Sequence, residues 1–227
     1  MKQTLAVAVM AKQPALGTVK TRLSSVLSAE HRLDLYTAML QDKVEQVLAL
    51  AGATAYVAFS PPEAAAEITA IVGDRPSLIA QRGADLGERL ARVAADLFAA
   101  GHGGVVLVDS DTPNLPSEYL LEALAALDAG ADVVIGPAWD GGYYLIGLAR
   151  PAPALFAGIA WSTAGVLEQT VLAATRAGLG IHYLPSWFDV DTPSDLDRLA
   201  RQLAATPAAR PGYPWRTRAV LVALRLG

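Results

Sequence analysis

The sequence predicts a single α/β domain built on a mixed, mostly parallel β-sheet that is flanked by helices. The chain has 227 residues, of which 53% are hydrophobic, and this is enough for one sizeable core. Short apolar runs alternate with longer amphipathic segments, an order that produces parallel strands joined by right-handed helical crossovers. One apolar run follows its predecessor across a turn too short to hold a helix, which predicts one antiparallel strand.

The predicted elements follow one another in that alternation. Strands are expected at Leu5–Met10, Ala53–Phe59, Ser77–Ala80, Val105–Val108, Asp132–Gly136, Tyr143–Leu148, Gly180–Leu184 and Phe188–Val190. Helices are expected at residues 28–50, Glu63–Val72, Leu86–Ala100, Ser117–Leu127, Thr163–Ala177 and Pro193–Leu203. The strand at Tyr143–Leu148 is the one expected to run antiparallel, because only Asp140-Gly141-Gly142 and its neighbours separate it from the strand before.

The chain divides by composition into a domain at residues 1–204 and a basic extension at residues 205–227. The extension carries four arginines and no acidic residue. It is predicted to dock on the domain through Trp215 and Ala219–Leu224, or else on a second subunit, so that a homo-oligomer is left open.

Composition excludes several classes of function. The 18 Lys and Arg residues are outnumbered by 22 Asp and Glu residues, and the net charge of −4 argues against a nucleic-acid-binding protein. Cysteine is absent, which rules out disulfides, thiolate nucleophiles and cysteine-ligated metals. The apolar run at Leu5–Met10 is too short for a secretion signal, and no apolar run approaches the roughly 20 residues of a membrane span. A cytoplasmic protein is therefore expected.

In open α/β sheets ligands bind beyond the carboxyl ends of the strands, so the loops at those ends are searched first. The loop after the first strand, residues 11–22, brings Lys12, Lys20 and Arg22 close to backbone amides around Ala11 and Gly17. Cations and free amides together suit a polyphosphate. The alternative is an ordinary solvated basic loop, because neither the P-loop pattern nor the Rossmann glycine pattern is present.

Carboxylates follow two further predicted strands. Asp109 and Asp111 stand directly after the strand at Val105–Val108, and Asp191 follows Phe188–Val190. Carboxylate oxygens are the ligands that Mg²⁺ prefers, with phosphate oxygens filling the remaining positions. The three aspartates are therefore candidate metal ligands. The alternative is that they cap turns or helices, and this alternative is stronger for Asp191, which precedes Pro193 at a helix start.

Two glycine-containing segments complete the candidate site. Asp140, Gly141, Gly142 and Tyr143 form a turn in which backbone could approach an acceptor closely, although a tight hairpin with aromatic core residues explains the pattern equally well. In the segment Asp85–Arg89, Gly87 and Arg89 either contact the nucleotide or simply begin a helix.

Together these segments resemble an uncharacterised bacterial family of the nucleotide-diphospho-sugar transferase (GT-A) superfamily, related to the 2-phospho-L-lactate guanylyltransferases and the molybdenum-cofactor nucleotidyltransferases. The resemblance covers Leu5 to Leu199. The motifs that carry it are A-K-x-P-x-x-G-x-V-K-T-R-L, D-L-G-E-R, D-S-D-T-P-x-L-P, D-G-G-Y-Y-L-I-G-L, W-S-T and D-V-D-T-P-x-D-L.

The resemblance implies a Rossmann-like GT-A sheet that binds a nucleoside triphosphate or a nucleotide sugar together with Mg²⁺ or Mn²⁺. It places Lys20 and Arg22 at phosphate-contacting positions and Asp111 and Asp191 at metal-binding positions. In the family's pattern the position of Asp109 is commonly glycine, so which aspartate of the D-S-D segment faces the metal stays open.

Three functions are compatible with these residues. The first hypothesis is nucleotidyl transfer, in which a small phosphorylated or otherwise anionic acceptor attacks the α-phosphorus of an NTP, with Lys20, Arg22 and Asp111 as catalytic groups. The second is glycosyl transfer from an NDP-sugar, in which Asp140 or another carboxylate near the aromatic segment activates an acceptor hydroxyl. The third is a catalytically silent nucleotide-binding scaffold.

Overall fold

The computed structural model describes residues 4–226 and arranges them as a seven-stranded sheet with helices on both faces. The strands are β1 (Leu5–Lys12), β2 (Ala53–Ser60), β3 (Ser77–Ala80), β4 (Gly104–Asp109), β5 (Val133–Pro137), β6 (Tyr143–Leu148) and β7 (Ile181–Tyr183). The helices are α1 (Ala29–Leu48), α2 (Ala65–Val72), α3 (Leu86–Ala99), α4 (Ser117–Asp128), α5 (Val166–Arg176), α6 (Pro193–Ala205) and α7 (Trp215–Ala223).

The strand order is β3-β2-β1-β4-β6-β5-β7. All neighbouring strands pair in parallel except β6, which runs antiparallel to both β4 and β5. This confirms the predicted mixed sheet. Because β6 is reversed, its first residue, Tyr143, lies at the same edge of the sheet as Asp109 at the end of β4.

Alternate residues of the central strands enter the two apolar layers on either face of the sheet. On one face Val7 and Val9 of β1 pack with residues of α1, α2 and α4. On the other face Ala6 and Ala8 pack with residues of α3 and α5, such as Leu90. The cleft described below opens on this second face, where Leu90, Leu107 and Ile146 of the same layer line it.

The predicted strand at Phe188–Val190 is wrong. The backbone here makes single hydrogen bonds instead of a ladder: Trp187 N–H donates to Pro137 O at 3.0 Å, and Val190 N–H donates to Asp111 O at 3.0 Å. Phe188 and Val190 are apolar because both are buried in a third cluster with α6 and α1. The alternation of apolar and acidic residues at 188–190 therefore arises because one side of an extended loop is buried.

The C-terminal segment folds onto the rest of the chain. Helix α7 packs against α1, where Thr217 N–H donates to Asp42 Oδ2 at 2.7 Å and Leu221 is fully buried in the third cluster. Trp215, in contrast, is 58% exposed, and its ring lies 4.8 Å from the Tyr213 ring at an interplanar angle of 60°. Whether residues 205–227 form a unit separate from residues 1–204 remains a prediction.

No helix between residues 4 and 226 has both the length and the apolar character needed to cross a membrane.

Candidate active site

Lys20 connects three loops at the carboxyl edge of the sheet. Its ammonium nitrogen lies 2.6 Å from Asp111 Oδ1 and 3.1 Å from Asp191 Oδ1. The lysine side chain is only 3% exposed, whereas the two carboxylates are about one-third exposed and face the solvent side of the edge. Arg22 reaches the other oxygen of Asp191 at 3.4 Å from a far more exposed position. The predicted phosphate-binding and metal-binding side chains therefore meet.

The backbone of Lys20 is unusual, with φ 48° and ψ 41° in the left-handed region. A residue with a Cβ pays roughly 1–2 kcal/mol for this conformation. It stands immediately before a short 3₁₀ helix at Thr21–Leu23, and Leu23 is fully buried and holds that helix in place. The turn directs the lysine side chain inward between the two carboxylates, so the ion pairs offset the strain.

The charge of Lys20 is set by two opposing effects. Burial disfavours the ammonium and acts to lower its pKa, but the carboxylates of Asp111 and Asp191 outweigh burial and raise the pKa above its ordinary value of 10.5. The ammonium therefore stays protonated at physiological pH. It can neutralise negative charge on a ligand, and it is not suited to act as a general base.

Asp109 and Asp111 play different structural parts. Asp109 Oδ1 accepts hydrogen bonds from the Asp111 backbone N–H at 3.2 Å and from the Thr112 hydroxyl at 2.6 Å, so it fixes the turn that presents Asp111 to Lys20. Desolvation raises the pKa of Asp109 to about 7, although the charge of Lys43 opposes this rise. A metal-ligating role for Asp109 remains a prediction.

Three side chains that the sequence analysis did not single out support this arrangement. The first is Tyr36 of α1, whose hydroxyl accepts a hydrogen bond from the Lys12 N–H at 2.9 Å and lies 3.3 Å from the Ser110 hydroxyl. Tyr36 therefore ties the loop after β1 to the loop after β4. The signal was weak, because a tyrosine on a buried helical face is usually a core residue.

The second is Lys43, also on α1, which is completely buried. It donates to Gln46 Oε1 at 3.0 Å, and Gln46 Nε2 donates to Leu115 O at 2.6 Å. Burial lowers the pKa of Lys43 to about 8, while the carboxylates of Asp109 and Asp111 act to raise it. A lysine on the apolar face of a predicted helix was a usable signal.

The third is Asp189, two residues before Asp191. Burial, together with the charges of Asp191, Asp140 and Asp111, raises the pKa of Asp189 to about 6. Four carboxylates from three loops therefore repel one another across this edge. Such a field favours a cation or a ligand that brings one.

The donor set fits a divalent ion that is held largely by its substrate. Asp111 and Asp191 offer carboxylate oxygens from two loops that already share one cation, and oxygen donors suit Mg²⁺ or Mn²⁺. Over residues 4–226, His, Cys, Asp and Glu side chains form no group of three or more that could hold a metal. An ion here would therefore need phosphate oxygens to complete its coordination, as Mg²⁺ commonly does.

Beside these charges lies a cleft of about 460 Å³, between the N-terminal ends of α3 and α5. Asp140, Gly142 and Tyr143 of the predicted acceptor turn line it. Asp140 Oδ1 accepts a hydrogen bond from the Gly142 N–H at 2.9 Å, which closes the turn. At Gly141, with φ 93°, a Cβ would collide with the carbonyl of Ala164, so glycine is needed where the turn meets the next loop.

The segment Asp85–Arg89 starts α3, as its alternative interpretation proposed. Asp85 accepts the Glu88 N–H at 2.8 Å as the N-cap, and Arg89 Nε donates to Gly83 O at 3.3 Å. At Gly87 a side chain would collide with the indole of Trp161, which lines the cleft. Contacts of Gly87 and Arg89 with a nucleotide remain predictions.

The other predicted nucleotide-binding residues lie at or after the end of β1. Ala11 is buried and its carbonyl accepts a hydrogen bond from the Gln81 side chain at 3.0 Å. Lys12 is exposed, and Gly17 has φ 77° in the turn that leads to Lys20. The loop thus follows the first strand, as the sequence predicted. Its contacts with a ligand remain predictions.

Comparison with known proteins identifies relatives of this chain. Residues 43–163 match the model of a family described as uncharacterized protein conserved in bacteria, DUF2064. Phosphoenolpyruvate guanylyltransferase from Nocardia farcinica is 32% identical over 124 residues, which are 53% of this chain and 54% of that protein. The chain therefore spans about half the length of this curated relative.

Solved structures extend the similarity to nearly the whole chain. The crystal structure of a protein from Desulfovibrio desulfuricans G20, described as a nucleotide-diphospho-sugar transferase, is 35% identical with a TM-score of 0.88, covering 99% of this chain and 98% of that one. A more distant neighbour is glucosyl-3-phosphoglycerate synthase from Mycobacterium tuberculosis, solved with Mn²⁺ and UDP. The two chains are 14% identical and superpose with a TM-score of 0.53. The match covers 91% of this chain and 82% of the synthase, and it shows a shared fold.

Proposed function

The chain belongs to the DUF2064 family of uncharacterized bacterial proteins, and we propose that it is a metal-dependent nucleotidyltransferase acting on an NTP and a small phosphorylated or otherwise anionic acceptor. One observation carries the proposal: a buried, protonated Lys20 held between Asp111 and Asp191, the second of which lines the cleft. Polyphosphate chemistry uses this combination of a fixed cation and metal-binding carboxylates.

The proposed reaction is an attack of the acceptor on the α-phosphorus of the NTP, with pyrophosphate as the leaving group. Lys20 and Arg22 would neutralise charge on the phosphates, and Asp111 and Asp191 would hold the divalent ion. When bound, that ion supplies further neutralisation of the pyrophosphate. A phosphate or carboxylate acceptor is already ionised at neutral pH, so it needs no general base.

The relatives support this reaction class. The curated relative is named for guanylyl transfer to phosphoenolpyruvate, a small phosphorylated acid. Because the match covers about half of that protein, GTP and phosphoenolpyruvate serve here as the first probes to try. The use of a divalent ion is supported by the Mn²⁺ bound in a neighbour of the same fold, and Mg²⁺ is the ion we propose for this chain.

Glycosyl transfer from an NDP-sugar is the second candidate. Asp140 lines the cleft as a carboxylate near the predicted acceptor position, and this is the observation that favours it. In that reaction Asp140 would accept a proton from an acceptor hydroxyl, and the ion would stabilise the departing nucleoside diphosphate.

A thermal-shift panel separates the candidates, because a ligand that binds only the folded state raises the melting temperature. The protein with Mg²⁺ or Mn²⁺ is melted with each of the four NTPs and with UDP- and GDP-sugars. We expect stabilisation by one NTP, with pyrophosphate release when an acceptor such as phosphoenolpyruvate is added. Stabilisation by a sugar nucleotide alone would support glycosyl transfer, and no response to any nucleotide would support a silent scaffold.

A further inference from the structure

The cleft has two chemically different parts. We call the charged part the rim, and it is formed by Arg22, Asp109, Asp140 and Asp191. We call the aliphatic part the floor. Tyr143, Tyr144, Ser162 and Thr163 also line the cleft with polar side chains and belong to neither part. The floor consists of the side chains of Met10, Leu86, Leu90, Leu107, Ile146 and Val166, with the ring of Trp161 beside them.

The floor is part of the packed core. Leu107 of β4 and Ile146 of β6 are 2% and 1% exposed, and both belong to the core layer that also holds Leu90. Their neighbours therefore hold them in place, and they are not free to turn away from a ligand. The floor is a preformed apolar surface in the same cleft as the charged rim.

The side wall is also built for close contact. Trp161 lies against Gly87, where any larger residue would collide with its indole, and its ring meets the Tyr143 ring edge-to-face at 6.4 Å between centroids. Leu86, at the first turn of α3, is 42% exposed although it lines the cleft. An apolar ligand that covers this exposed leucine would be stabilised by the burial of apolar surface.

A nucleobase or a sugar would be poorly matched to the floor. Each ring N–H, carbonyl or hydroxyl needs a hydrogen-bond partner once water is removed, and a buried polar group without one is costly. The six aliphatic side chains of the floor offer no hydrogen-bonding side-chain group, Met10 apart, whose sulfur is a weak acceptor. A hydrocarbon or aromatic body, in contrast, loses nothing on entering the floor and gains by burial.

We propose that the acceptor is amphipathic: its reacting anionic group lies at the rim, and an aromatic or branched hydrocarbon body fills the floor. This inference rests on the proposed function, since it names the acceptor of that same site. The volume of about 460 Å³ falls within the usual range of small-ligand pockets. The nucleotide then lies outside the floor, toward Lys20 and the loop after β1.

The test compares two phosphate monoesters that differ in their bodies. Phenyl phosphate and glycerol phosphate are titrated calorimetrically into the protein with Mn²⁺, in the absence and presence of saturating GTP. We expect phenyl phosphate to bind at least about tenfold more tightly, because its ring buries apolar area that glycerol cannot. GTP should not displace it.

Two near-isosteric variants locate the effect. Val166→Thr places a hydroxyl in the floor and should weaken phenyl phosphate by about fivefold or more while leaving glycerol phosphate unchanged. Val171→Thr, one and a half turns further along α5 and outside the cleft lining, is the matched control and should change neither.

Two results would overturn the inference. If a protein that binds GTP with Mn²⁺ had equal affinity for the two esters, the inference of an amphipathic acceptor would be wrong. The proposal of nucleotidyl transfer would be unaffected. Displacement of phenyl phosphate by GTP, together with weaker GTP binding in Val166→Thr, would assign the floor to the nucleobase. Failure of the wild-type protein to bind any nucleotide would count against the proposed function itself, which the ester comparison does not measure.

Discussion

At the scale of single residues, the site depends on Lys20, whose backbone conformation and ion pairs require each other. Its left-handed φ turns the chain so that the side chain enters between Asp111 and Asp191, and the two carboxylates offset the cost of both the strain and the burial. Exposed ion pairs contribute little to stability, but a buried ammonium with two carboxylates is expensive to break. The same geometry holds a positive charge where phosphates would bind.

Replacing Lys20 with methionine should therefore impair catalysis strongly. Lys20→Met keeps the length of the side chain and removes its charge, and we expect kcat for nucleotidyl transfer to fall by roughly 10²–10³-fold, as when one preorganised electrostatic group is lost. Steady-state pyrophosphate release measures this. Arg176→Met, at the far end of α5 from the cleft, is the control. A loss smaller than tenfold would contradict the role assigned to Lys20.

Lys43 should give the stability of the protein a distinctive pH dependence. Its folded-state pKa of about 8 lies below the ordinary 10.5, so between these values the unfolded chain binds more protons and the free energy of unfolding rises with pH. Between pH 8 and 9.5 the free energy of unfolding of wild type, measured in urea relative to that of Lys43→Met, should rise by about 1–2 kcal/mol. A difference that stays constant with pH would show that Lys43 does not titrate in this range.

The sequence predicted which charged residues meet at this edge of the sheet, but it did not predict the α1 side chains that lie behind them. Lys20, Asp111 and Asp191 stand directly after predicted strands, and the carboxyl edge of a parallel sheet collects such residues. Tyr36 and Lys43 lie in the middle of α1, and their contribution depends on which face of the helix meets β4. That rotation is fixed by packing, which residue spacing along the chain does not specify.

At the scale of elements, the turn before β6 packs directly against the loop before α5 at Gly141, which lies next to the Ala164 backbone. Gly141→Ala adds a Cβ that collides with the Ala164 carbonyl, in addition to the cost of a positive φ. Gly130→Ala has a similar φ of 99° but open space around it, so it isolates the conformational cost of about 1–2 kcal/mol.

We expect Gly141→Ala to cost at least about 1 kcal/mol more than Gly130→Ala in chemical denaturation, because overpacking adds to the conformational cost. Equal costs for the two variants would mean that the loop of Ala164 moves away freely.

Helix α7 should contribute to stability through one buried residue. Leu221→Ala removes a fully buried side chain from the cluster shared with α1 and α6, and the expected loss is about 2–4 kcal/mol. Val222→Ala, one residue away and 51% exposed, should change stability by less than about 0.5 kcal/mol. Similar small effects for both would mean that α7 is not docked in solution, and would favour a separable extension.

Predictions of elements succeeded where chain length constrained the topology. The antiparallel β6 followed from a turn too short for a crossover, and the structure confirms it. The strand expected at Phe188–Val190 does not form, because alternation of apolar and acidic residues there reflects burial of Phe188 and Val190 against α6 while Asp189 and Asp191 face the site. Alternation alone does not distinguish a strand from an extended loop with one buried face.

At the scale of the whole molecule, the fold gathers distant parts of the chain at one edge of the sheet. Lys20, Asp111 and Asp191 come from the loops after β1 and β4 and from the segment before α6, and the reversed β6 adds the turn at Asp140–Tyr143 at the same edge. The chain is acidic overall and the edge carries several mutually repelling carboxylates. A polyphosphate should therefore bind as its complex with a divalent ion.

The most direct test of this account is a calorimetric titration of GTP into the protein with and without Mn²⁺, performed on wild type and Asp111→Asn. We predict GTP binding that requires Mn²⁺ in wild type and that weakens by at least about tenfold in Asp111→Asn, because a neutral amide is a poorer ligand for a hard cation. Asp74→Asn, at an exposed position, should bind like wild type. Mn²⁺-dependent binding that Asp111→Asn leaves unchanged would contradict the metal role of Asp111 and, with it, the proposed site.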